Sequence, residues 1–260
     1  MNEELAGWLR RDRPLSLQTL HIPSSLRLVV LAPHPDDFDA VAVTIRFFKE
    51  NGNGVVVAVV TSGASGVEDG FGEAFTPAAK AKLREREQRK SCRIFGLPDN
   101  RLTFLRSAED DRGHPEDNAA NRGLVSSYLA SMRPDLVFLP HGHDPNPGHR
   151  RTYEFLLWSV RKEKLTLLAC LNRDPKTISM RMDLYHAFGP ELAAWKGELL
   201  RTHRSQQQRN LNTRGYGFDD RILQVDRRSA VELGLRGDYA EAFELQCLDG
   251  TVEGGNARVP

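Results

Sequence analysis

Side chains that can bind a metal ion follow the first long apolar run of the chain. His34, Asp36 and Asp37 lie within four residues, directly after residues 26–32. Because His34 and Asp37 are three residues apart, a tight turn can direct both at one point while Asp36 points elsewhere. An imidazole nitrogen and a carboxylate oxygen are two of the three protein ligands of an open zinc site. The alternative is that the two aspartates only cap the following helix.

A second group of histidines follows another apolar run. Residues 135–140 predict a short buried strand, and His141, His143 and His149 come within nine residues of its end. An apolar pattern with helical spacing begins at Thr152, which places His149 at the start of a helix. Two strand-to-helix junctions that are both rich in metal-ligand side chains are hard to explain as two helix caps. The two segments together therefore predict a metal site.

The elements that must position these segments alternate along the first half of the chain. Apolar runs predict strands near 26–33, 54–61, 101–105 and 135–140. Amphipathic patterns between them predict helices at about 39–50, 77–94 and 122–132. This alternation predicts a parallel sheet with right-handed crossovers. In such sheets ligands bind outside the carboxyl ends of the strands, where both histidine segments are expected.

The pattern is less regular after residue 150. It predicts strands at 165–171 and 177–184, one helix at 191–209, and further short strands at 222–225 and 243–248. We expect a single α/β domain over residues 1–250, in which the part from about 165 is a candidate for a small β-containing cap. Residues 251–260 are expected to form a flexible tail.

Further segments follow in an order that resembles a known family. A glycine-rich loop at 61–66 follows the second predicted strand, and Arg84 and Glu87 lie on the charged helix after it. The segments 196–206 and 239–243 come later. Together with the His-Pro-Asp-Asp segment and the second histidine segment, this ordered set resembles the PIG-L/LmbE-like zinc deacetylases over most of the chain.

The resemblance implies a Rossmann-like α/β fold with a mostly parallel sheet, helices on both faces and an active site at the carboxyl ends of the strands. It implies that His34, Asp37 and His149 bind zinc, and that Asp36 is the general base that takes a proton from metal-bound water. The implied reaction removes an N-acetyl group from an N-acetylglucosamine-type sugar or glycoconjugate and releases acetate and a free amine.

Three further side chains are candidates for substrate binding. Arg84 corresponds to a family arginine that reaches substrate hydroxyls, although the solvated face of a helix explains it equally simply. Ser65 lies in the glycine-rich loop, where the absence of side chains leaves room for a sugar; an ordinary strand-to-helix turn is the alternative. His203 lies on the predicted helix at 191–209 and either lines the pocket or only packs against neighbouring residues.

Two positions depart from the family pattern. Phe38 stands where a glutamate is usual, and Asp39 lies next to it with a shifted register. Asn146 stands where the family has the first histidine of its second segment, which helps to stabilise the oxyanion. An amide can donate a hydrogen bond but cannot transfer a proton, so both Asn146 and His143 are candidates for this catalytic role. Asp144 is a candidate for orienting a ligand histidine.

Two other functions remain alternatives. A metal- or sugar-binding protein without catalytic activity would explain the departures from the family pattern. A magnesium-dependent phosphoryl-transfer enzyme would use Asp36, Asp37 and Asp39, but histidine ligands argue against magnesium, which prefers an all-oxygen shell. The segment 114–117, His-Pro-Glu-Asp, is similar to the first motif. Since no strand precedes it, we expect a long loop of the kind that often forms a lid or a binding surface.

Composition excludes several other classes of protein. The 36 lysine and arginine residues balance 35 aspartate and glutamate residues, so the net charge of +1 predicts no nucleic-acid partner. Three widely spaced cysteines are typical of reduced thiols and favour the cytoplasm. The first 14 residues lack the apolar core of a signal peptide, and no apolar run reaches the roughly 20 residues of a membrane span. The expected partner is a small amino-sugar or glycoconjugate substrate. The sequence is also compatible with a homo-oligomer.

Overall fold

The apolar runs of the sequence form the strands of one sheet. The computed structural model describes residues 2–235 and 239–252. Its eight paired strands are β1 (Leu15–Ser16), β2 (Arg27–Ala32), β3 (Gly54–Val59), β4 (Leu102–Phe104), β5 (Leu136–Pro140), β6 (Thr166–Asn172), β7 (Leu184–Phe188) and β8 (Tyr239–Asp249). The helices are α1 (Glu3–Trp8), α2 (Ala42–Glu50), α3 (Pro77–Phe95), α4 (Ala119–Met132), α5 (Pro147–Lys162), α6 (Pro190–Arg201), α7 (Arg204–Arg214) and α8 (Phe218–Glu232).

The sheet is mostly parallel, with the order β1-β7-β8-β6-β5-β2-β3-β4. Only β8 runs against its neighbours β6 and β7, and the other five pairings are parallel. The chain winds from β2 through β3 to β4 on one side, and β5 and β6 extend the sheet on the other. The boundary between β2 and β5 is therefore a topological switch point, where ligands bind in open α/β sheets. The predicted α/β fold with a mostly parallel sheet is confirmed.

Both faces of the sheet are covered. Along β2, Leu28 and Val30 pack in one apolar cluster with residues of α2 and α3, such as Ile45. Val29 and Leu31 belong to a second cluster with residues of α4 and α5. Because successive strand residues point to opposite faces, a strand buried on both sides reads as a continuous apolar run. This explains why the buried strands were evident in the sequence.

The helices that frame the site begin and end at residues suited to those positions. At α3, the Thr76 side chain accepts a hydrogen bond from the Ala79 N–H, and Pro77 occupies the first helical turn. Gly96 ends the helix with φ of 80°. At α4, the side chain of Asn118 caps the Asn121 N–H at 2.8 Å. These caps define the observed bounds of α3 and α4; the apolar pattern alone predicted the start of α4 three residues too late, at 122.

The start of α2 is held by residues from the far end of the chain. No side chain caps α2 locally, and the carboxylate of Glu241 in β8 instead accepts hydrogen bonds from the N–H groups of Val43 and Thr44, at 3.1 and 2.7 Å. The Lys196 ammonium of α6 lies 2.8 Å from Glu241 Oε1 and 2.7 Å from Asp226 Oδ2. Burial and the nearby Glu241 raise the pKa of Asp226 to about 7, although Lys196 acts in the opposite direction.

The elements predicted before residue 140 lie within three residues of the observed bounds, but several later predictions were wrong. Residues 177–183 form no strand; they belong to the loop that leads into β7, which begins only at Leu184. The strand predicted at 222–225 lies inside α8. The single helix predicted at 191–209 is two helices, α6 and α7, separated at 202–203.

The segment after residue 165 was expected as a candidate cap, and the structure places its strands β6, β7 and β8 in the same sheet as β2 and β5. Residues 253–260, most of the expected tail, lie outside the described residues. Within residues 2–235 and 239–252, no helix combines the length and the apolar character that crossing a membrane requires.

The buried group around Lys196 generates a prediction for stability. Replacing Lys196 by methionine leaves two buried carboxylates without their cation, so we expect Lys196→Met to lower the free energy of unfolding by about 3–5 kcal/mol. Urea titration followed by circular dichroism measures this loss. The control is Lys80→Met, whose exposed pair with Asp69 should contribute no measurable stability. Equal free energies of unfolding for the two variants would contradict the prediction.

Candidate metal centre and its cavity

Three predicted ligands meet at the carboxyl ends of β2 and β5. Candidate ligand atoms of His34, Asp37 and His149 all lie within 4.8 Å of one another. Asp37 Oδ2 accepts a hydrogen bond from the His34 N–H at 2.7 Å, and Asp37 Oδ1 lies 3.6 Å from His149 Nε2. A tight turn after β2 and the first turn of α5 thus bring together residues that are more than 110 positions apart in sequence. Two imidazoles and one carboxylate form a donor set that suits zinc.

Acidic residues behind His149 fix the orientation of its ring. Asp144 Oδ2 lies 3.2 Å from His149 Nδ1, which leaves Nε2 directed at Asp37. Ligand atoms of Asp144, His149 and Asp174 also lie within 4.8 Å of one another. Since Nδ1 faces Asp144, His149 offers Nε2 to a metal in the group with His34 and Asp37. Asp144 then has the position of a carboxylate that orients a ligand histidine, as the sequence suggested.

The charges at this point favour a cation. Burial works against a charged imidazole, yet Asp37 and Asp144 outweigh it and raise the pKa of His149 to about 9. Burial would raise the pKa of Asp37, but the charge of His149 and the hydrogen bonds from His34 lower it to about 2. Burial, together with the charges of Asp144 and Asp37, raises the pKa of Asp174 to about 6. The surplus of carboxylates that holds a proton on His149 is the environment in which a divalent ion replaces that proton.

Asp36 has a backbone conformation that separates its side chain from that of Asp37. Its φ of 114° lies in the left-handed region, which is strained for residues other than glycine. Gln88 Oε1 accepts the Asp36 N–H at 2.8 Å, and the Arg84 guanidinium donates both to the Pro35 carbonyl and to Asp36 Oδ2, the latter at 3.0 Å. Two side chains one turn apart on α3 therefore hold the strained turn in place.

The start of α5 brings its backbone close to His34. The Asn146 side chain caps the helix by accepting the Gly148 N–H at 2.9 Å, and Pro147 occupies the first turn. A Cβ atom at Gly148 would lie 2.8 Å from His34 Nε2, too close for any larger residue without a shift. The glycine thus permits the approach of α5 that places His149 beside the first motif.

The two departures near the first motif have a structural explanation. Phe38 is fully buried and its ring packs edge-on against Phe95 at 4.9 Å. Asp39 is also fully buried, and its Oδ2 lies 2.6 Å from His203 Nε2 while its Oδ1 accepts the Ser91 hydroxyl. The position where the family has glutamate thus belongs to the apolar core, and Asp39 forms a buried hydrogen-bonded group with α3 and the start of α7.

A cavity of about 550 Å³ opens above the three ligands. Seven of the predicted site residues line it, namely His34, Asp36, Asp37, Ser65, Arg84, Asn146 and His149. His203 does not line it; the residue is fully buried, and its ring contacts Asp39 next to the first motif. His143 does not line the cavity either; it is exposed, and its ring lies edge-on against that of His141 with ring centroids 4.9 Å apart.

One histidine of the cavity wall was not among the predicted site residues. His114 lines the cavity together with Arg112 and Gly113. The sequence presented it in a polar stretch with no strand before it, so no strand end marked it as a ligand position. Its only signal was the similarity of residues 114–117 to the first motif.

The family is identified by sequence comparison. Residues 29–159, half of the chain, match the family model PIG-L, described as GlcNAc-PI de-N-acetylase. The chain belongs to the PIG-L family. The matched segment contains His34, Asp37 and His149, the candidate metal ligands, as well as Arg84. The family is described by a de-N-acetylase activity, so the predicted class of amide hydrolase is confirmed. No curated protein matches the sequence.

Solved structures of other proteins share the fold of this PIG-L family member. The N,N'-diacetylchitobiose deacetylase of Pyrococcus horikoshii is 21% identical, with a TM-score of 0.68 over 86% of this chain and 84% of that one. A deacetylase of the teicoplanin biosynthesis pathway is 16% identical, with a TM-score of 0.61 over 84% and 98%. GalB, the 4-carboxy-2-hydroxymuconate hydratase of Pseudomonas putida KT2440, is 16% identical, with a TM-score of 0.63 over 85% and 95%. At these identities the likeness shows the fold alone.

The contact between Asp144 and His149 generates a prediction for metal affinity. Removing the carboxylate frees the His149 ring to rotate and to change tautomer, so we expect Asp144→Ala to weaken zinc binding about 10–100-fold. Competition with a chelating dye measures the dissociation constant. Asp135→Ala is the matched control, because Asp135 pairs with Arg27 at the amino ends of β2 and β5, away from the candidate ligands. An unchanged dissociation constant in Asp144→Ala would show that this carboxylate does not orient the ligand.

Proposed function

We propose that this protein is a zinc-dependent hydrolase that removes an N-acetyl group from an N-acetylglucosamine-type sugar or glycoconjugate. The observation that carries the proposal is the convergence of His34, Asp37 and His149 in one cavity, with the carboxylate of Asp36 beside them and not among them. When bound, zinc would lower the pKa of water and polarise the acyl carbonyl group. Membership of the PIG-L family supports the same reaction.

Asp36 is proposed as the general base. The attack of water on the acetyl carbon requires a group that accepts a proton and returns it to the departing nitrogen as the C–N bond breaks. Asp36 lines the cavity, and its turn directs its carboxylate away from that of Asp37. The hydrogen bond from Arg84 at 3.0 Å holds one carboxylate oxygen in place. The other oxygen has no hydrogen-bond partner within residues 2–235 and 239–252 and is the atom proposed to take the proton.

Arg84 is proposed to bind the substrate as well. It is only 2% exposed, yet within the described residues its Nε and Nη1 atoms have no hydrogen-bond partner. A buried guanidinium with two unused N–H groups at a cavity wall is costly unless a ligand accepts them. Sugar hydroxyl or carbonyl oxygens are acceptors of the required kind. Ser65, which lines the same cavity, would add a hydroxyl contact.

The two alternative functions have less support. A magnesium-dependent phosphoryl-transfer enzyme would need Asp39 near Asp36 and Asp37, but Asp39 is fully buried and hydrogen-bonded to His203. An inactive metal- or sugar-binding protein would not need Asp36 in a strained turn beside the metal ligands. GalB, which shares the fold, is named as a hydratase. The argument for amide hydrolysis therefore depends on the side chains of the cavity and not on the fold.

The role of Asp36 generates a prediction for catalysis. Asparagine tolerates a positive φ and keeps an oxygen for Arg84, but it cannot take up a proton. We therefore expect Asp36→Asn to keep about one zinc ion per chain and to lose turnover about 10²–10⁴-fold. Zinc is measured by elemental analysis and turnover by acetate release from a panel of acetylated amino sugars. Asp135→Asn, far from the cavity, should keep both. A near-normal rate in Asp36→Asn would mean that another group is the base.

The mouth of the cavity indicates what else the substrate carries. Five cationic side chains line it: Arg112, Lys176, Arg209, Arg214 and Arg221. None of the five forms an ion pair with a carboxylate of residues 2–235 or 239–252. The cavity thus has carboxylates at its floor, beside the candidate metal ligands, and cationic side chains at its rim. A rim of this charge attracts anions. We propose that the amino sugar carries an acidic group, a phosphate or a carboxylate, at the end that faces the rim.

Charged and neutral substrates of the same sugar test this proposal. We expect N-acetylglucosamine 1-phosphate to have a kcat/KM about tenfold above that of the methyl glycoside at low ionic strength, with the difference shrinking as salt is added. N-acetylmuramic acid provides the carboxylate case. Arg209→Gln combined with Arg221→Gln should reduce the preference, whereas Arg228→Gln, an arginine of α8 that does not line the cavity, should not. Equal kcat/KM values for the charged and neutral sugars would remove the acidic group from the proposal.

We also propose that the protein is cytoplasmic and folds as a single domain. Cys92 and Cys170 are free and buried, and burial raises the pKa of both thiols, which suits an environment where cysteines stay reduced. This supports the cytoplasm. The shared sheet supports one domain over residues 1–250.

A further inference from the structure

Asn146 stands where the family pattern has a histidine, so this position offers no imidazole to stabilise the oxyanion. Its side-chain oxygen accepts the Gly148 N–H at 2.9 Å, so Asn146 serves as the cap of α5. Its side-chain N–H groups have no hydrogen-bond partner among residues 2–235 and 239–252 and can face a ligand. Amide hydrolysis needs a donor for the negative charge that develops on the carbonyl oxygen. At this position the family pattern has a histidine, and this chain does not.

His143 does not fill this gap. His143 is exposed, and its ring lies edge-on against that of His141. The next residue, Asp144, turns the chain back towards the cavity, because its carboxylate accepts the Asn146 N–H at 2.7 Å and faces His149. His143 therefore lies on the outer side of a turn whose inner side holds the metal-binding residues.

His114 reaches the cavity from a different loop. It lines the same cavity as His34, Asp36 and Asn146, and it is partly buried. Neither ring nitrogen of His114 has a hydrogen-bond partner among residues 2–235 and 239–252. An imidazole in a cavity wall with both nitrogens unused is free to contact a ligand.

The loop that carries His114 is held firmly. The Asp110 carboxylate accepts the N–H groups of Arg112 and His114 at 3.0 and 2.9 Å, which closes a tight turn. Arg151, two residues after His149 in α5, donates to Asp110 Oδ2 at 3.1 Å and to the Pro115 carbonyl at 2.6 Å. The loop is thus attached to the helix that begins at the metal centre, and α5 positions both histidines.

The opposite side of the loop packs on the glycine-rich loop. Gly113 has φ of +79°, and a Cβ atom there would lie 2.3 Å from Ser65 Oγ. Gly63, in the glycine-rich loop, is equally close to the first motif: a Cβ atom there would lie 3.0 Å from the Pro35 side chain. The loop at 107–118 is therefore wedged between α5 and the glycine-rich loop, so that the place of His114 in the wall is defined on both sides.

We propose that His114 is a catalytic residue that replaces the missing histidine of the second motif and donates an N–H hydrogen bond to the carbonyl oxygen of the scissile amide. The inference rests on the proposed deacetylase function. A neutral imidazole carries one N–H and serves as such a donor. Burial lowers the pKa of His114, and the charges of His34 and Arg151 add to this effect against that of Asp110, so the neutral form prevails at neutral pH. Asn146 completes the pair of donors from the opposite motif.

Two variants of His114 test the proposal. We expect His114→Ala to lower kcat about 10²-fold, because removing one oxyanion donor typically costs that much, while KM changes little. Glutamine retains an N–H donor, so His114→Gln should recover about tenfold of the lost kcat. Both variants should bind zinc and unfold at the same temperature as the parent protein. His143→Ala is the matched control and should keep the parent kcat.

The outcomes separate this inference from the proposed function. If the parent protein releases acetate and His114→Ala does so at the same kcat, the inference is wrong and the deacetylase proposal stands. A rise in KM with unchanged kcat would make His114 a binding residue and would also overturn it. If the zinc-loaded parent protein hydrolyses none of the acetylated sugars, the proposed function fails and the role of His114 fails with it.

Discussion

The carboxylate of Glu241 determines where α2 begins, and the turn that carries the candidate metal ligands His34 and Asp37 depends on that position. The turn at 34–37 leads through a short 3-10 helix, Asp39–Val41, into α2, which has no side-chain cap of its own. Glu241 satisfies two N–H groups of its first turn, and Lys196 balances the charge while also donating to the Ala40 carbonyl at 2.6 Å. The last strand of the sheet and a helix from the second half of the chain thus fix the position of the candidate metal ligands near its start.

The sequence predicted the local features of the site well and the long-range ones poorly. Strand ends followed by His34 and His149 were evident because buried parallel strands are continuous apolar runs, and both motifs follow such runs. The break between α6 and α7 was not evident, since it comes from His203 turning inwards to Asp39. The apolar residues at 222–225 fit a strand or a helix equally, and only packing against β8 decides between them.

His114 shows a different limit of sequence reasoning. No strand or helix end marks its position, and its orientation depends on Arg151 and Gly113, which anchor the loop on either side. The position of the His114 ring thus depends on contacts between the loop and distant segments, which exist only in the folded protein. Solved structures named as a deacetylase and as a hydratase share this fold, so the fold by itself does not determine the reaction.

The strain at Asp36 has an evolutionary consequence. A backbone conformation of this kind costs about 1–3 kcal/mol, and glycine would remove that cost. However, the loss of the Asp36 carboxylate would leave the buried Arg84 guanidinium without its counter-charge. Neither residue can therefore change alone without lowering stability. Relatives that lose the activity should lose both together, with a glycine at the first position and an uncharged side chain at the second, so that the two positions covary.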